Sequence, residues 1–577
     1  MKKKVIAMLL ASVLAVSTLA GCGGKENAET PASSNTENQQ ADDQSDAPSD
    51  DQSAESEASS GEVTDFTMFI TMPGSEINSD NEIAQMIADK WGVKVKETWL
   101  TGQTAAEATG TLIASGEYPD FIDSDDMGQL VDAEALVPLD DYIDQYPEFR
   151  DTWFTQEEWD KFRQPDGHIY WINPFGNTMG ESTTTTHNDE AFWIQVRVLE
   201  WAGYPDIQTM DDYFKVLEDY MAANPTMEDG TQNIAYTILC EDWRYFCLEN
   251  AGQFLAGHPN DGSVLVDSET LTIGDYNTSE DTKKYLRKLN EEYNKGFVDP
   301  ESFTQTYDEY IAKLSTGRVL GMIDQWWDFA YTVNDVFKQQ GLDVKGCNYV
   351  PLGLTTEAGM ENRWHTYDDT VNQASGIAIS VDCKDPDKAF KFIVDCAMDQ
   401  ELHDLRYWGV KDVDYQVDEN GLFYRTDEQR MKWADTSYQA SHRCQYSYFP
   451  QWGGTSRDGK NANKPEEQTS EFQNDMAQPL KDCLAAYGAD NYVDMIGSVV
   501  ETNGPWFPMY SYSNNFTTET PGGIAWAKMG EIKHEYLPKV VMAADFDAAW
   551  EEYMGVYSEC KPEDFLSEMQ AILDTFK

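Results

Sequence analysis

Hydrophobic and polar positions follow two distinct patterns along the chain after position 62. Residues 63–70 (VTDFTMFI) alternate with a period of two and are rich in β-forming side chains, which predicts a strand, and residues 93–100 predict a second strand. Residues 78–91 and 104–115 instead place apolar side chains at helical spacing after a polar start. Residues 116–123 predict a third strand. This alternation of strands and helices predicts an α/β domain with a parallel sheet.

The amino terminus has the pattern of an export signal. Three lysines at positions 2–4 precede an apolar run over residues 5–20, which is too short to span a bilayer. The run ends in Leu-Ala-Gly-Cys at residues 19–22, which resembles the lipobox of bacterial lipoproteins, whose cysteine is joined to diacylglycerol. We therefore predict a signal peptide over residues 1–21 and a lipidated Cys22 that anchors the mature chain outside the cytoplasmic membrane. Ordinary secretion with an incidental Cys22 is the alternative.

Residues 22–61 form a linker in this interpretation. After Cys22 they contain no aromatic or large aliphatic side chain and are mainly Ser, Asp, Glu, Gln, Asn and Ala. Such a segment buries too little apolar surface to offset the entropy of ordering, so we expect a disordered tether. The folded body is predicted over residues 62–577.

Composition and charge exclude several classes of function. Of 577 residues 41% are hydrophobic, which is enough for a large core, and the formal net charge is −62. A field of this sign repels nucleic acid and anionic headgroups and argues against an anionic polymer as ligand. No nucleic-acid partner is expected. A solvated extracellular surface explains the same charge without any ligand.

Sequence signatures of catalysis or metal binding are missing. The eight cysteines after Cys22 form no C-x-x-C pair, and no histidine stands at metal-ligand spacing, so no metal and no cofactor are expected. There is no H-E-x-x-H motif, no G-x-S-x-G elbow and no phosphate-cradling glycine loop. Cys396 lies in an apolar run and is predicted to be a small buried hydrophobe. Catalysis is not expected.

Several segments resemble the extracellular solute-binding proteins of bacterial ABC importers, and most closely their large lipoproteins implicated in oligosaccharide uptake. The resemblance extends over most of residues 63–577, and it is the order of the segments that makes it specific. Those that carry it include GEYPDFIDSDD (116–126), LVPLDDYID (136–144), PDGHIYWINP (165–174), LSTGRVLGMIDQWWDF (314–329) and GIAISVDCKDPDKAFKFIVD (376–395).

The resemblance implies a bilobal periplasmic-binding-protein-like α/β fold with a hinge and a helical C-terminal part. We predict that the first lobe spans about 63–177 plus 322–374, and the second about 178–321 plus 375–577. The implied function is capture of a carbohydrate, most simply an oligosaccharide, between the lobes and its delivery to the permease subunits of an ABC transporter. A monomer is expected.

A sugar-binding cleft needs flat aromatic faces for the C–H faces of the rings and planar polar groups for the hydroxyls. The segment YTILCEDWRYFCLENAGQFLAG resembles the part of maltose-binding protein that carries a cleft acid and a stacking aromatic residue, which match Glu241 and Trp243 by position. Further candidates stand at predicted strand ends or in aromatic clusters. The complete set of predicted ligand-binding residues is Ser124, Asp125, Tyr170, Trp171, Asn173, Glu241, Trp243, Arg244, Trp326, Trp327, Trp506 and Tyr510.

Each of these candidates has a purely structural alternative, since Ser124 and Asp125 can cap the next helix and the aromatic residues can belong to the core. Some relatives carry a calcium loop where this chain has residues 224–233, which contain too few alternating carboxylates, so no calcium is expected there. Two alternative functions remain open, a surface-anchored carbohydrate-active enzyme and a glycan-tethering adhesin.

Overall fold

The computed structural model describes residues 62–259, 263–367, 371, 373–497, 499–501, 504–514 and 516–577. The predicted signal peptide, the predicted lipidation site Cys22 and the predicted linker lie outside the described residues.

The described strands are short and are numbered in chain order. They are β1 (Thr64–Ile70), β2 (Val93–Trp99), β3 (Phe121–Asp123), β4 (Trp171–Ile172), β5 (Thr178–Met179), β6 (Glu190–Gln195), β7 (Leu265–Asp267), β8 (Thr272–Gly274), β9 (Gly321–Gln325), β10 (Tyr349–Leu352), β11 (Thr366–Tyr367), β12 (Ile377–Ile379), β13 (Gln416–Val417), β14 (Phe423–Tyr424), β15 (Gly453–Gly454) and β16 (Val500–Glu501).

Helices make up most of the described regular structure. They are α1 (Glu82–Trp91), α2 (Ala105–Ser115), α3 (Met127–Asp132), α4 (Asp140–Gln145), α5 (Pro147–Trp153), α6 (Gln156–Lys161), α7 (Val196–Ala202), α8 (Met210–Ala223), α9 (Phe246–Glu249), α10 (Ala251–Leu255), α11 (Glu280–Lys295), α12 (Tyr307–Ser315), α13 (Trp326–Gln340), α14 (Pro386–Met398), α15 (Gln400–Tyr407), α16 (Asp427–Ala434), α17 (Thr436–Ser441), α18 (Thr469–Asp475), α19 (Gln478–Tyr487), α20 (Tyr492–Ile496), α21 (Tyr510–Ser513), α22 (Pro521–Met542), α23 (Phe546–Glu559) and α24 (Pro562–Leu573).

A five-stranded sheet organises the first lobe, in the strand order β2-β1-β3-β12-β4. Strand β1 pairs in parallel with β2 and with β3, which confirms the parallel sheet predicted from the alternating pattern. Strand β12 joins antiparallel to β3 and β4. The hydrophobic core around this sheet is drawn from residues 66–172 and 377–452.

A three-stranded sheet organises the second lobe, in the order β10-β6-β9, and both of its pairings are antiparallel. Its core is drawn from residues 191–364 and 472–573, so the C-terminal helices pack on this lobe. Residues 234–239 form no regular strand and instead make isolated bridges at Ile234, Tyr236 and Thr237.

The predicted assignment of two chain segments to the lobes is wrong. Residues 322–374 were expected in the first lobe, but β9 and β10 both pair with β6 in the second. The segment that follows residue 375 was expected in the second lobe, but β12 pairs with β3 and β4, and residues 377–452 complete the first core. The exchange follows from the strand pairing, since β9 and β10 flank β6 in the second sheet, whereas β12 lies between β3 and β4 in the first.

The eight cysteines that the structure describes are all unpaired and buried. Cys396 is fully buried in the first core, which confirms its predicted role as a small hydrophobe. Among the described helices none is both long enough and apolar enough to cross a membrane.

Candidate ligand-binding site

A cavity of about 1900 Å³ lies between the lobes. Its walls come from the carboxyl ends of β1 and β3 in the first lobe and from the segments that follow β9 and precede α9 in the second. Helix α22 from the C-terminal part contributes a further wall. Because both sheets and the C-terminal helices border it, a molecule held there touches every major part of the fold.

The second-lobe wall is built on two parallel indole rings. The Trp243 and Trp327 rings stack with centroids 5.9 Å apart and an interplanar angle of 16°. Trp327 follows β9 in the first turn of α13, and Trp243 lies in a 3₁₀ turn over Asp242–Tyr245. Both rings are only partly buried and both line the cavity. Such a wall offers flat apolar faces to a ligand.

A buried ion pair fixes this wall. The Arg244 Nε atom lies 3.0 Å from both carboxylate oxygens of Asp328, and the two side chains are 3% and 1% exposed. The guanidinium also lies 4.3 Å from the ring centroids of Trp243 and Tyr307. Since Asp328 stands in the first turn of α13, the pair ties the 3₁₀ turn to the helix that carries Trp327.

The first-lobe wall is acidic. Asp123 ends β3 and is 4% exposed, and its Oδ2 has no hydrogen-bond partner among the described residues. Burial, followed by the neighbouring Asp125 charge, raises the pKa of Asp123 to about 8. Burial also raises the pKa of Asp125 to about 6, with further contributions from Asp242 and Asp126. These carboxyl groups are therefore ready to donate or accept hydrogen bonds with a ligand.

An aromatic group continues the first-lobe wall. Tyr448 makes edge contacts with Trp99 and Phe175, at centroid distances of 5.5 and 5.3 Å. Trp99 packs directly on Gly74, where an added Cβ would lie 2.2 Å from the indole ring. All four residues line the cavity, and only glycine at position 74 leaves room for the ring.

A cationic wall comes from the segment that follows residue 407. The guanidinium groups of Arg425 and Arg443 lie 4.0 and 4.6 Å from the ring centroid of Trp433. Arg425 is 6% exposed and donates to the carbonyl oxygens of Tyr407 and Trp408. Acidic side chains lie close by, including Asp335 at 3.8 Å from Arg443. The wall is thus polar, and acidic neighbours offset part of its positive charge.

Helix α22 presents one face to the cavity, with Trp526, Gly530, Lys533 and His534 among the lining residues. Lys533 is anchored by Glu249 at 2.7 Å, and His534 stacks on Tyr245 with centroids 3.7 Å apart. These contacts hold the C-terminal helix against the second lobe.

Seven of the twelve predicted ligand-binding residues line the cavity, namely Asp125, Asn173, Trp243, Arg244, Trp326, Trp327 and Tyr510. Among them Arg244, Trp326 and Asn173 are at least nine-tenths buried and shape the wall as much as they face the cavity.

The other five do not line the cavity. The hydroxyl of Ser124 is within 2.9 Å of the hydroxyl of Thr109, and Trp171 is fully buried and donates to the carbonyl of Gln373. Tyr170 donates to Asp166 at 2.6 Å, on the face of the chain opposite to Trp171.

Glu241 and Trp506 are also occupied elsewhere. The Glu241 carboxylate accepts a hydrogen bond from the backbone of Tyr307, so it stabilises the start of α12. Trp506 is 3% exposed within the second core, whereas Phe507 and Tyr510 reach the cavity.

Sequence reasoning missed several wall residues that carried a readable signal. Asp123 ends the strand whose following residues were chosen instead. In α22, positions 526, 530, 533 and 534 have the spacing of one helical face, and Ala330, Asn334 and Lys338 follow one another at four-residue spacing in α13. For Trp99 and Tyr448 the sequence contains no comparable pattern.

The described residues contain no group of three or more His, Cys, Asp or Glu side chains placed to hold a metal ion. The cavity is lined by aromatic rings, carboxyl groups and arginine side chains that donate to backbone carbonyls. Such a lining suits a polar ligand with apolar faces.

Comparison with known proteins assigns the fold and site to a class. The profile of the bacterial extracellular solute-binding protein family matches residues 82–407, and the chain belongs to that family.

A curated relative is the fructooligosaccharide ABC transporter substrate-binding protein FusA of Streptococcus pneumoniae serotype 4, with 28% identity over 249 residues. That alignment covers 40% of this chain and 44% of FusA, less than half of either protein.

Solved structures of the same fold cover almost the whole of this chain. An HMO-binding, ABC-transporter-associated solute-binding protein from Bifidobacterium longum infantis has a TM-score of 0.59 at 13% identity, covering 89% of this chain and 99% of that one. FusA of S. pneumoniae in complex with kestose has a TM-score of 0.58 at 17% identity, with the same coverage. These matches confirm the predicted periplasmic-binding-protein-like α/β fold.

Proposed function

We propose that this chain is the lipid-anchored solute-binding component of an ABC importer and that it captures an oligosaccharide in the interlobe cleft. It binds and releases the ligand without chemical change and delivers it to the permease subunits. The curated relative named for fructooligosaccharide and the structural neighbour named for HMO binding support a carbohydrate ligand.

The observation that carries the proposal is the pairing of two unlike walls across one cavity. Trp243 and Trp327 present stacked indole rings from the second lobe, and the buried Asp123 and half-buried Asp125 present carboxyl groups from the first. Sugar rings need both kinds of contact, since their C–H faces are apolar and their hydroxyls lose water on burial. A ligand that touches both walls favours the closed arrangement of the lobes.

The size of the cavity favours an oligosaccharide over a single sugar. Pockets for drug-sized molecules measure roughly 300–1000 Å³. The volume of about 1900 Å³ is well above that range. Indole rings also recur along the cavity lining, at Trp99, Trp243 and Trp327, so that more than one sugar ring can be held at once.

The remaining parts of the proposal concern location and partners. Cys22 would carry the lipid anchor, the linker up to residue 61 would lift the body off the membrane, and the chain would act as a monomer. Replacing Cys22 by Ser is expected to release the protein into the culture medium, whereas the natural chain stays in the membrane fraction. Retention of the Cys22→Ser protein in the membrane fraction would contradict lipid anchoring.

The test of the ligand class is a thermal-shift screen of the full chain against soluble oligosaccharides, with monosaccharides and peptides alongside. A ligand at about 100 times its dissociation constant stabilises a fold by roughly 2.7 kcal/mol. We expect a shift with one glycan class that is reduced in Trp327→Ala. The matched control is Trp201→Ala, since that indole is 47% exposed and does not line the cavity.

Other results of the screen identify the alternatives. A shift with peptides and with no sugar would overturn the carbohydrate ligand while leaving the fold intact. Shorter glycan products after incubation would show an enzyme. Retention on insoluble polysaccharide without a shift on soluble oligomers would show a glycan-tethering adhesin.

A further inference from the structure

Among the hydrogen bonds that join the two lobes, one lies beside the cavity at the start of α2. The backbone N–H of Ala105, the first residue of α2 in the first lobe, donates to Asp242 Oδ2 in the second lobe at 2.8 Å. Neither residue lines the cavity. The first N–H groups of a helix have no partner within the helix, so an external carboxylate there is favourable in both hydrogen bonding and helix-dipole terms.

An apolar contact accompanies this bond. The neighbouring Trp243 packs against a small buried cluster formed by Leu100, Ala105 and Ala108 of the first lobe. The same indole stacks on Trp327 in its own lobe. Asp242 and Trp243 therefore contact the start of α2 through one hydrogen bond and one apolar contact. We call this pair of residues the interlobe clasp.

The clasp is held rigidly by the second lobe. Asp242 has a left-handed backbone with a φ of 54°, a conformation that Asp tolerates better than most residues. On either side the chain is fixed, because the Glu241 carboxylate accepts from the Tyr307 N–H and Arg244 pairs with Asp328. The Asp242 side chain is thus aimed at α2 by its surroundings.

We propose that Asp242 is a positioning residue that sets the closure of the cleft, and thereby the residence time of the ligand, through its bond to the amino terminus of α2. Its contacts use protein atoms alone, so they stabilise the closed arrangement by the same amount for any ligand. The effect on affinity rests on the proposed carbohydrate function, whereas the effect on closure does not.

The direct test is hydrogen exchange at the Ala105 amide in the full chain without ligand. Asp242→Ala is expected to speed exchange there, and small-angle X-ray scattering is expected to show a larger radius of gyration. Thr104→Ala is the matched control. It removes the capping box of α2, in which Thr104 Oγ1 accepts from the Glu107 N–H at 3.2 Å, but leaves the clasp intact. It should speed exchange at Glu107 and leave Ala105 protected.

Binding kinetics supply the second measurement, with the glycan found in the screen as the probe. Asp242→Ala should raise the dissociation rate constant roughly tenfold and leave the association rate constant unchanged. Asp242→Asn keeps an acceptor oxygen and should give intermediate exchange and dissociation.

Equal Ala105 exchange in the natural chain, Asp242→Asn and Asp242→Ala would overturn the proposal. An equal loss of affinity in Thr104→Ala and Asp242→Ala would also overturn it, because the effect would then come from the helix and not from the clasp. If Asp242→Ala loses protection at the Ala105 amide but the natural chain binds no sugar, the clasp is supported and only the proposed function is contradicted.

Discussion

The two walls of the cleft are built on opposite principles. In the second-lobe wall the buried Arg244 is bonded to Asp328, and two indole rings stack beside this pair. In the first lobe Asp123 is buried and Asp125 half-buried, neither forms an ion pair with a described residue, and burial raises the pKa of both. The second-lobe wall therefore holds a paired charge, whereas the first-lobe wall holds unpaired carboxyl groups.

This difference separates stability from binding. Arg244 and Asp328, the ion pair of the second-lobe wall, stabilise the fold. An unpaired carboxyl group of the first-lobe wall lowers the free energy of unfolding and is available to bind the ligand. Substitutions of similar size on the two walls should therefore have opposite effects on the free energy of unfolding.

The largest effect is expected from breaking the buried pair. Asp328→Asn leaves the Arg244 charge buried without its counterion, which should lower the free energy of unfolding by about 3–5 kcal/mol. The matched control is Asp219→Asn, which removes an exposed partner of Lys215 on α8 and should cost at most about 0.5 kcal/mol. Urea unfolding of both variants gives the comparison, and equal losses would contradict the distinction between the pairs.

The next effect has the opposite sign. Asp123 has a folded pKa of about 8 against an unfolded value of 3.8, so its contribution to stability is complete below pH 3.8 and is lost as the pH rises through 8. Asp123→Asn resembles the protonated form at every pH. It should match the natural chain at pH 4 and exceed it by ~1–3 kcal/mol at pH 9, while binding its ligand more weakly.

Asp120, three residues before Asp123, provides the contrasting variant for that experiment. Burial raises the pKa of Asp120, but hydrogen bonds from the backbone and hydroxyl of Thr67, both at 2.8 Å, outweigh it and lower the pKa. Asp120→Asn should therefore lose stability at neutral pH and approach the natural chain in acid. The same pH dependence in both variants would contradict the assignment of the two environments.

A smaller effect is expected from the half-buried indole of Trp327. Trp327→Ala should weaken ligand binding roughly tenfold through lost stacking, and change the free energy of unfolding by less than about 1.5 kcal/mol, since the ring is only partly buried. Calorimetric titration and urea unfolding of the same variant measure the two quantities. A large loss of stability with unchanged affinity would place Trp327 in the core.

The sequence predicted the first lobe better than the second for a physical reason. Strands β1 and β2 and helices α1 and α2 show clear local periodicity, and α2 has a Thr-x-x-Glu capping box that is visible in the sequence. Strands β10 and β12 are short apolar runs alike, and no local pattern tells which sheet each one completes. That is why the two segments were exchanged between the lobes.

The site shows the same limit at the level of single residues. Neighbouring residues in an extended segment point to opposite sides of the chain. The HIYWIN segment therefore offers no way to distinguish Asn173, which reaches the cavity, from Tyr170 and Trp171, which do not. Trp243 and Trp327 were found because they follow strand-like segments. Asp123 was missed although it is the last residue of β3.

The most direct test of the account is a calorimetric titration of the full chain with one glycan class, from the monosaccharide to the hexasaccharide. The account predicts that affinity rises with length until the cleft is filled, and that Trp327→Ala and Asp123→Asn each reduce it while Trp201→Ala does not. A monosaccharide that binds as tightly as the longer oligomers, or binding that neither wall variant affects, would contradict an oligosaccharide held between the two walls.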